Sequence, residues 1–275
     1  MMCSEAAPAP HHQRAHGRAE LGLVAAPGGA RIAHLFQSAP LRVLFPDADP
    51  DEPKQAALVN VAGGLAGGDA LQSVITLGAA ARFAATTPAA EKIYRSLGPE
   101  TEISAHITLG ANSTCEWLPQ ETILFDGARL RRRLDIALAP DARLLAAEML
   151  VFGRAARGEV FAHGALQDRW RITRDGRLRW VDALRLDPDA LNHRFTLDGA
   201  GAMATLVLAL PEAAAHRDLA RELAQGGAGL VAPGLLLARW LGEAGAVRAG
   251  LGAAIMALRE AALGLPPKLP RLWRG

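Results

Sequence analysis

Three short strings in this chain gather the side chains whose types and spacing could hold a ligand or a cation. The first, Val61-Ala62-Gly63-Gly64-Leu65-Ala66-Gly67-Gly68-Asp69, puts four glycines into six positions. Glycine accepts positive φ and the close approach of another backbone. The string therefore reads as a tight loop between strands, or as a loop that fixes Asp69 at its mouth as an oxygen ligand. The second runs Thr86-Thr87-Pro88-Ala89-Ala90-Glu91-Lys92-Ile93-Tyr94-Arg95-Ser96 and holds the one tyrosine of the chain. Its plainest reading is a polar turn in which Glu91 and Arg95 pair. The third runs Glu116-Trp117-Leu118-Pro119-Gln120-Glu121-Thr122-Ile123-Leu124-Phe125-Asp126-Gly127-Ala128. Pro119 and Gln120 break a strand there, and Asp126-Gly127 turns the chain into the next one. Glu116, Glu121 and Asp126 are expected on neighbouring turns of one surface, as three separate solvated carboxylates or as one shared site.

Other chemistries find little support. The sequence has no G-x-x-x-x-G-K-[ST] phosphate cradle, no G-x-G-x-x-G after a strand, no G-x-S-x-G elbow, no H-E-x-x-H and no C-x-x-C. A nucleophilic Cys115 would need an activating histidine, and the nearest in sequence, His106, sits on the preceding strand. Cys115 reads better as a small core residue.

The elements that must position these strings are mostly strands. From Glu20 to about Leu186, runs of five to nine residues alternate with Gly, Pro, Asn and Asp. Ile103, Ala105, Ile107 and Leu109 alternate with Glu102, Ser104, His106 and Thr108, as in a half-buried strand. Leu134, Ile136 and Leu138 repeat that pattern. Asp175-Gly176 between Asp168–Arg174 and Arg177–Arg185 predicts a hairpin with a type I′ turn. Helical periodicity appears only in the last third. One helix is expected over Ala214–Gln225, stopped by Gly226-Gly227. A second is expected over Glu243–Leu263, with Val247, Leu251, Ile255 and Leu258 on its core face; the same face could instead await a partner. Met203–Leu210 and Leu235–Leu241 read as buried strands. Residues 1–17, with His11, His12 and His16, read as a flexible tail, and 18–275 as one domain.

With 275 residues, 50% of them hydrophobic and 21% charged, the chain has an ordinary globular balance. A formal charge of +2 argues against a nucleic-acid binder. Arginines outnumber lysines 27 to 3, and Arg131-Arg132-Arg133 is the one tight basic run. It reads first as the solvated face of a strand and second as a docking patch for an acidic partner, a role that suits the planar arginine fork. Cys3 and Cys115 form no disulfide framework, so a reducing cytoplasmic setting is expected. No signal peptide is expected. The longest uncharged apolar stretches, Gly199–Pro211 and Gly226–Ala238, have 13 residues each, short of the roughly 18–20 that span a bilayer.

Taken in order, the three strings resemble the segments characteristic of the urease accessory protein family UreD (UreH in some members). Pro270-Arg271-Leu272-Trp273 is similar to that family's C-terminal signature. The likeness runs from about Arg18 to Trp273 and is most specific from Trp117 to Ala128. It implies a mainly β, β-helix-like single domain of many short strands with about two helices in the C-terminal third. It also implies a non-enzymatic, cytoplasmic role in urease maturation, as a scaffold and metallochaperone. Such a protein bridges apo-urease to a UreF-like adaptor, which recruits a nickel-carrying UreG-like GTPase, and so helps nickel reach the urease active site. Carried over residue by residue, the family's segments fall on Asp69, on Glu91 to Ser96, and on Glu121 with Asp126. Two departures stand out: Ala66 replaces a larger apolar residue, and an acidic Glu91 is not expected in all relatives.

Nickel(II) stands high in the divalent affinity order and is held tightly by sulfur and imidazole. A relay must release its cargo, so carboxylates and carbonyls suit it better than a closed Cys/His cage. Beyond the tail the chain offers one cysteine and five dispersed histidines, His34, His106, His163, His193 and His216. No tightly bound cofactor is expected. The candidate transient Ni2+ path runs through Asp69, Glu91, Glu121, Asp126 or Glu159. The competing reading is a hydrolase or lyase on a β-helical frame, with Glu121 and Asp126 as acid and base.

Overall fold

The computed structural model describes residues 14–274 apart from positions 28, 48, 50, 192, 194 and 195. Strands are numbered along the chain and divide between two sheets. The first runs, edge to edge, β14 (Arg177–Leu186), β13 (Ala165–Arg174), β11 (Arg129–Leu138), β8 (Thr101–Leu109), β5 (Ala70–Leu77), β1 (His16–Ala26) and β2 (Gly29–Ser38). The second runs β16 (Ala228–Ala232), β17 (Leu235–Gly242), β15 (Ala202–Ala209), β12 (Arg143–Phe152), β9 (Thr114–Leu118), β6 (Arg82–Thr86), β4 (Lys54–Asn60) and β3 (Leu41–Leu44). Two three-residue strands, β7 (Glu91–Ile93) and β10 (Thr122–Leu124), pair in parallel with each other, and β10 continues onto β12.

Between β4 and β13 the chain crosses from sheet to sheet and returns one strand further along, always in parallel register. The body is thus a β-solenoid of about four stacked coils. Antiparallel pairs finish both ends: β1 with β2 and β3 with β4 at one, β13 with β14 and β12 with β15 at the other. The expected hairpin is present, with Asp175 at φ 53° and Gly176 at φ 69°, the pair of positive values that a type I′ turn needs.

The two sheets differ in cover, and their sequences differ accordingly. On the first sheet only the inner face is buried, so β8, β11 and β13 alternate between buried and open residues. The second sheet is covered on both faces. Leu144, Ala146 and Val207 point into the space between the sheets, while Leu145, Leu206 and Leu208 pack outward against the C-terminal helix. That is why β12 and β15 are near-continuous apolar runs.

One turn of helix, α1 (Pro188–Leu191), precedes the two helices of the last third. The first of these is shorter than expected: a 3-10 turn over Ala213–His216 leads into α2 (Arg217–Leu223). The second is α3 (Ala244–Leu263), whose expected residues Val247, Leu251, Ile255 and Leu258 are all buried on the sheet. Glu243 caps it by accepting the Ala246 N–H at 3.0 Å, and Gly264 ends it in the left-handed region. Of the expected tail, residues 1–13 lie outside the described residues, and His16 and Gly17 instead open β1.

Candidate functional site

Coil stacking brings the three strings to one corner of the solenoid. The glycine string leaves β4, and Leu65 bonds on both sides of the second string, from its N–H to the Lys92 carbonyl at 2.8 Å and from its carbonyl to the Tyr94 N–H at 2.7 Å. The Tyr94 hydroxyl donates to the Gly63 carbonyl at 2.9 Å. The second string meets the third in the same way. Glu91 N–H donates to the Glu121 carbonyl at 2.9 Å, Phe125 N–H to Ile93 at 3.0 Å, and Ser96 N–H to Gly127 at 3.0 Å. Tyr94 and Phe125 pack edge to face with centroids 5.1 Å apart.

Close approach explains two glycines of the first string. A Cβ at Gly64 would lie 2.5 Å from the Tyr94 ring, and one at Gly67 would lie 2.1 Å from Ser96 Oγ and 2.5 Å from the Pro99 carbonyl. Gly67→Ala is therefore expected to cost about 1–3 kcal/mol through overpacking, visible as a lower urea midpoint at unchanged slope.

Asp69, 9% exposed, is held rigidly as expected, but both its oxygens are engaged: Oδ1 accepts the Ala15 N–H at 2.9 Å and Oδ2 the Ala66 N–H at 2.8 Å. It closes the glycine loop onto the start of β1. Glu91 opens β7 and does not pair with Arg95. Its partner is Asn60 Nδ2, at 3.0 Å, and it lines a cavity of about 80 Å3 between the sheets together with Thr87, Trp117, Gln120, Arg132 and Glu148. Burial pushes its carboxyl up to about 7, against the pull of Asn60.

Glu121 faces outward and pairs with Arg248 of α3, which also reaches Gln120 Oε1 at 3.2 Å and lies 5.0 Å from the Trp273 ring. Asp126 and Glu159 come together one layer on. Asp126 N–H donates to Glu159 Oε1 at 3.3 Å, while Asp126 Oδ1 accepts the N–H groups of Ala162 at 2.8 Å and His163 at 2.7 Å. Slight burial works against it, yet these bonds and the His163 ring hold the Asp126 carboxyl below its ordinary range. Arg154 does the same for Glu159. Neither is placed to give up a proton as a general acid near neutral pH.

Glu116 is not on the surface expected for it. It lies 1% exposed against Arg259. Nor is the arginine run one solvated face, because strand alternation turns Arg132 inward. Arg132 grips Asp168 bidentately at 2.9 and 2.8 Å and reaches Glu148 Oε2 of the opposite sheet at 3.2 Å. Glu148 Oε1 accepts the Trp117 indole N–H at 3.0 Å. Sequence reasoning missed Asn60, Arg132 and Glu148 as neighbours of Glu91. A signal existed, since Glu148 is a lone charge in the apolar run Leu144–Phe152 and Arg132 falls in phase with Leu130 and Leu134. Cys115 is a fully buried strand residue whose thiol is pushed up by burial, which suits a core role.

Among the described residues, no three His, Cys, Asp or Glu side chains converge as a resident metal site would require. No helix among them is long and apolar enough to cross a membrane.

Comparison with known proteins agrees with this geometry over nearly the whole chain. The family model described as UreD urease accessory protein matches residues 15–274. A urease accessory protein UreD of Granulibacter bethesdensis is 55% identical over 238 residues, covering 84% of this chain and 99% of the relative. The UreD proteins of Magnetococcus marinus and of a Methylobacterium species are 41% and 44% identical, each over at least 94% of both chains. The corner strings, the solenoid that stacks them and the length of the match together make this chain a member of the UreD family of urease accessory proteins.

Proposed function

We propose that the chain acts in urease maturation by holding other proteins in place during nickel delivery, without transforming a substrate itself. Its relatives are named as urease accessory proteins, which supports work on urease in company with other accessory proteins. The finer reading is that it bridges apo-urease to a UreF-like adaptor and, through that adaptor, to a UreG-like GTPase in the cytoplasm.

The observation that carries this reading is the corner itself. Three strings that are separated in sequence form a continuous ladder of backbone bonds beside carboxylates that bind protons, arginines and amides. In the nickel reading, the metal is cargo that meets weak oxygen donors in turn. Glu91 is the most apt of these, because a carboxyl near neutral exchanges a proton for a cation at little cost. The acid–base alternative loses support because Glu121 and Asp126 are held separately, by Arg248 and by His163.

Reconstituted activation of apo-urease with nickel and the partner proteins tests the reading. Asp69→Ala is expected to lower the activity reached severalfold, with a circular dichroism spectrum unchanged from wild type. Equal activation by both proteins would remove Asp69 from the site. Failure of the wild-type chain to raise activation would end the maturation reading.

A further inference from the structure

The outward face of the first sheet near its β14 edge carries a grid of arginines. Strand register sets Gln167 between Arg131 and Arg185, Arg133 beside Arg169, and Asp135 beside Arg171. Neighbouring strands lie about 4.8 Å apart and alternate residues about 6.7 Å along a strand, so the backbone sites of these arginines form a closely spaced grid. Some are already matched within the chain. Arg131 pairs with Glu100 and Glu102, and Arg169 with Asp135 at 3.4 Å. Arg133, Arg171 and Arg185 are exposed and have no ion pair among the described residues. A groove of about 240 Å3 runs between Arg131, Arg133, Arg169 and Arg185. The whole chain carries only +2, while on this face five arginines, Arg131, Arg133, Arg169, Arg171 and Arg185, meet three carboxylates, Glu100, Glu102 and Asp135.

We propose that this face of β11, β13 and β14 is a docking surface for an acidic segment of a protein partner. The in-chain pairs show the chemistry in use: carboxylates on the same face meet Arg131 and Arg169, and the three unmatched forks continue the same grid. Planar forks favour carboxylates because two N–H groups can meet two oxygens. Nucleic acid fits less well. The strands' tryptophans, Trp170 and Trp180, face inward and pack on each other at 6.2 Å, leaving no stacking platform for bases. Exposed Val181 and Ala183 lie among the arginines instead, the mixture of apolar and arginine contacts that protein interfaces favour. The inference rests on the accessory-protein reading only in taking the occupant to be a protein.

The test uses the full chain and a fluorescent oligo-glutamate peptide, followed by anisotropy at low and high salt. Peptide binding is expected to weaken with salt. It should fall about tenfold or more when Arg133, Arg171 and Arg185 are all changed to Gln, since each exposed pair contributes modestly. The control Arg217→Gln with Arg221→Gln, on α2, should bind as wild type does. Should the triple variant fold poorly, Arg171→Glu alone is expected to weaken binding in the same direction. Equal binding by wild type and variants, or tighter binding of single-stranded DNA or anionic vesicles than of the peptide, overturns the proposal. Co-purification with urease subunits and accessory partners separates the two readings. Capture by wild type and triple variant alike defeats the docking face and leaves the maturation reading standing. No capture by wild type, with peptide binding still lost in the variant, does the reverse.

Discussion

Replacing Arg259 with alanine is expected to lower folding stability by about 3–5 kcal/mol, the range found when one member of a buried ion cluster is removed. Arg259 projects from α3 with its side chain 1% exposed, and Glu116 and Glu52 beside it are 1% and 3% exposed. Its Nε reaches Glu116 Oε1 at 2.7 Å, one terminal nitrogen reaches Glu116 Oε2 at 3.2 Å, and the other reaches Glu52 Oε1 at 3.3 Å and the Pro266 carbonyl at 3.0 Å. The Lys268 carbonyl is a further acceptor. Burial already pushes the Glu116 carboxyl above its usual range despite the guanidinium. Without Arg259, the Glu116 carboxylate would lose its guanidinium partner in a dry site, and Glu52 would keep only the more distant Lys268 ammonium, 3.7 Å away.

Urea unfolding measures the loss directly, and limited proteolysis should show residues 264–274 cut first. Arg259→Met combined with Glu116→Gln is expected to recover part of the loss, because much of it comes from stranded charge. A midpoint unchanged by Arg259→Ala would show that the cluster contributes nothing.

The second large effect is a pH dependence. Glu91 titrates near 7 in the folded chain and near 4.5 when unfolded. Over that window the folded state keeps a proton that the unfolded chain has released, so stability falls as pH rises. The slope is roughly 1.4 kcal/mol per unit, reaching about 3 kcal/mol above neutrality. Glu91→Gln keeps the shape and the Asn60 contact while removing the titration. Its stability is expected to match wild type near pH 4.5 and exceed it by about that amount near pH 8. Urea midpoints at the two pH values decide the matter: a wild-type profile as flat as the variant's would show that Glu91 ionises freely in the folded chain.

Much of the architecture is legible in the residues alone. Asp175-Gly176 marks its hairpin because few sequences tolerate two successive positive φ values. Glu243 and Gly264 bound α3 because capping chemistry is local, and the alternation through Ile107 on β8 and through Ile136 and Leu138 on β11 exposes the half-buried strands. What stays hidden depends on which faces are covered. Arg132 looks solvated as part of a basic run, and only the neighbouring coil, with Asp168 beside it and Glu148 opposite, makes an inward guanidinium tolerable. Glu116 looks like a surface carboxylate because its partner lies 143 residues further on. The meeting of the three strings is likewise invisible, since local patterns do not say that successive coils return to the same corner.

The Arg259 cluster also bears on the order in which the molecule is completed. The solenoid coils contact near neighbours and can assemble as they leave the ribosome, N-terminal coil first. Glu52, however, waits for a residue 207 positions later, and the outer face of β12 and β15 stays bare until α3 arrives to cover it. A chain halted before Ala244 would present that greasy sheet to the cell, so nascent or truncated forms are expected to need protection by chaperones and to be cleared quickly when it fails.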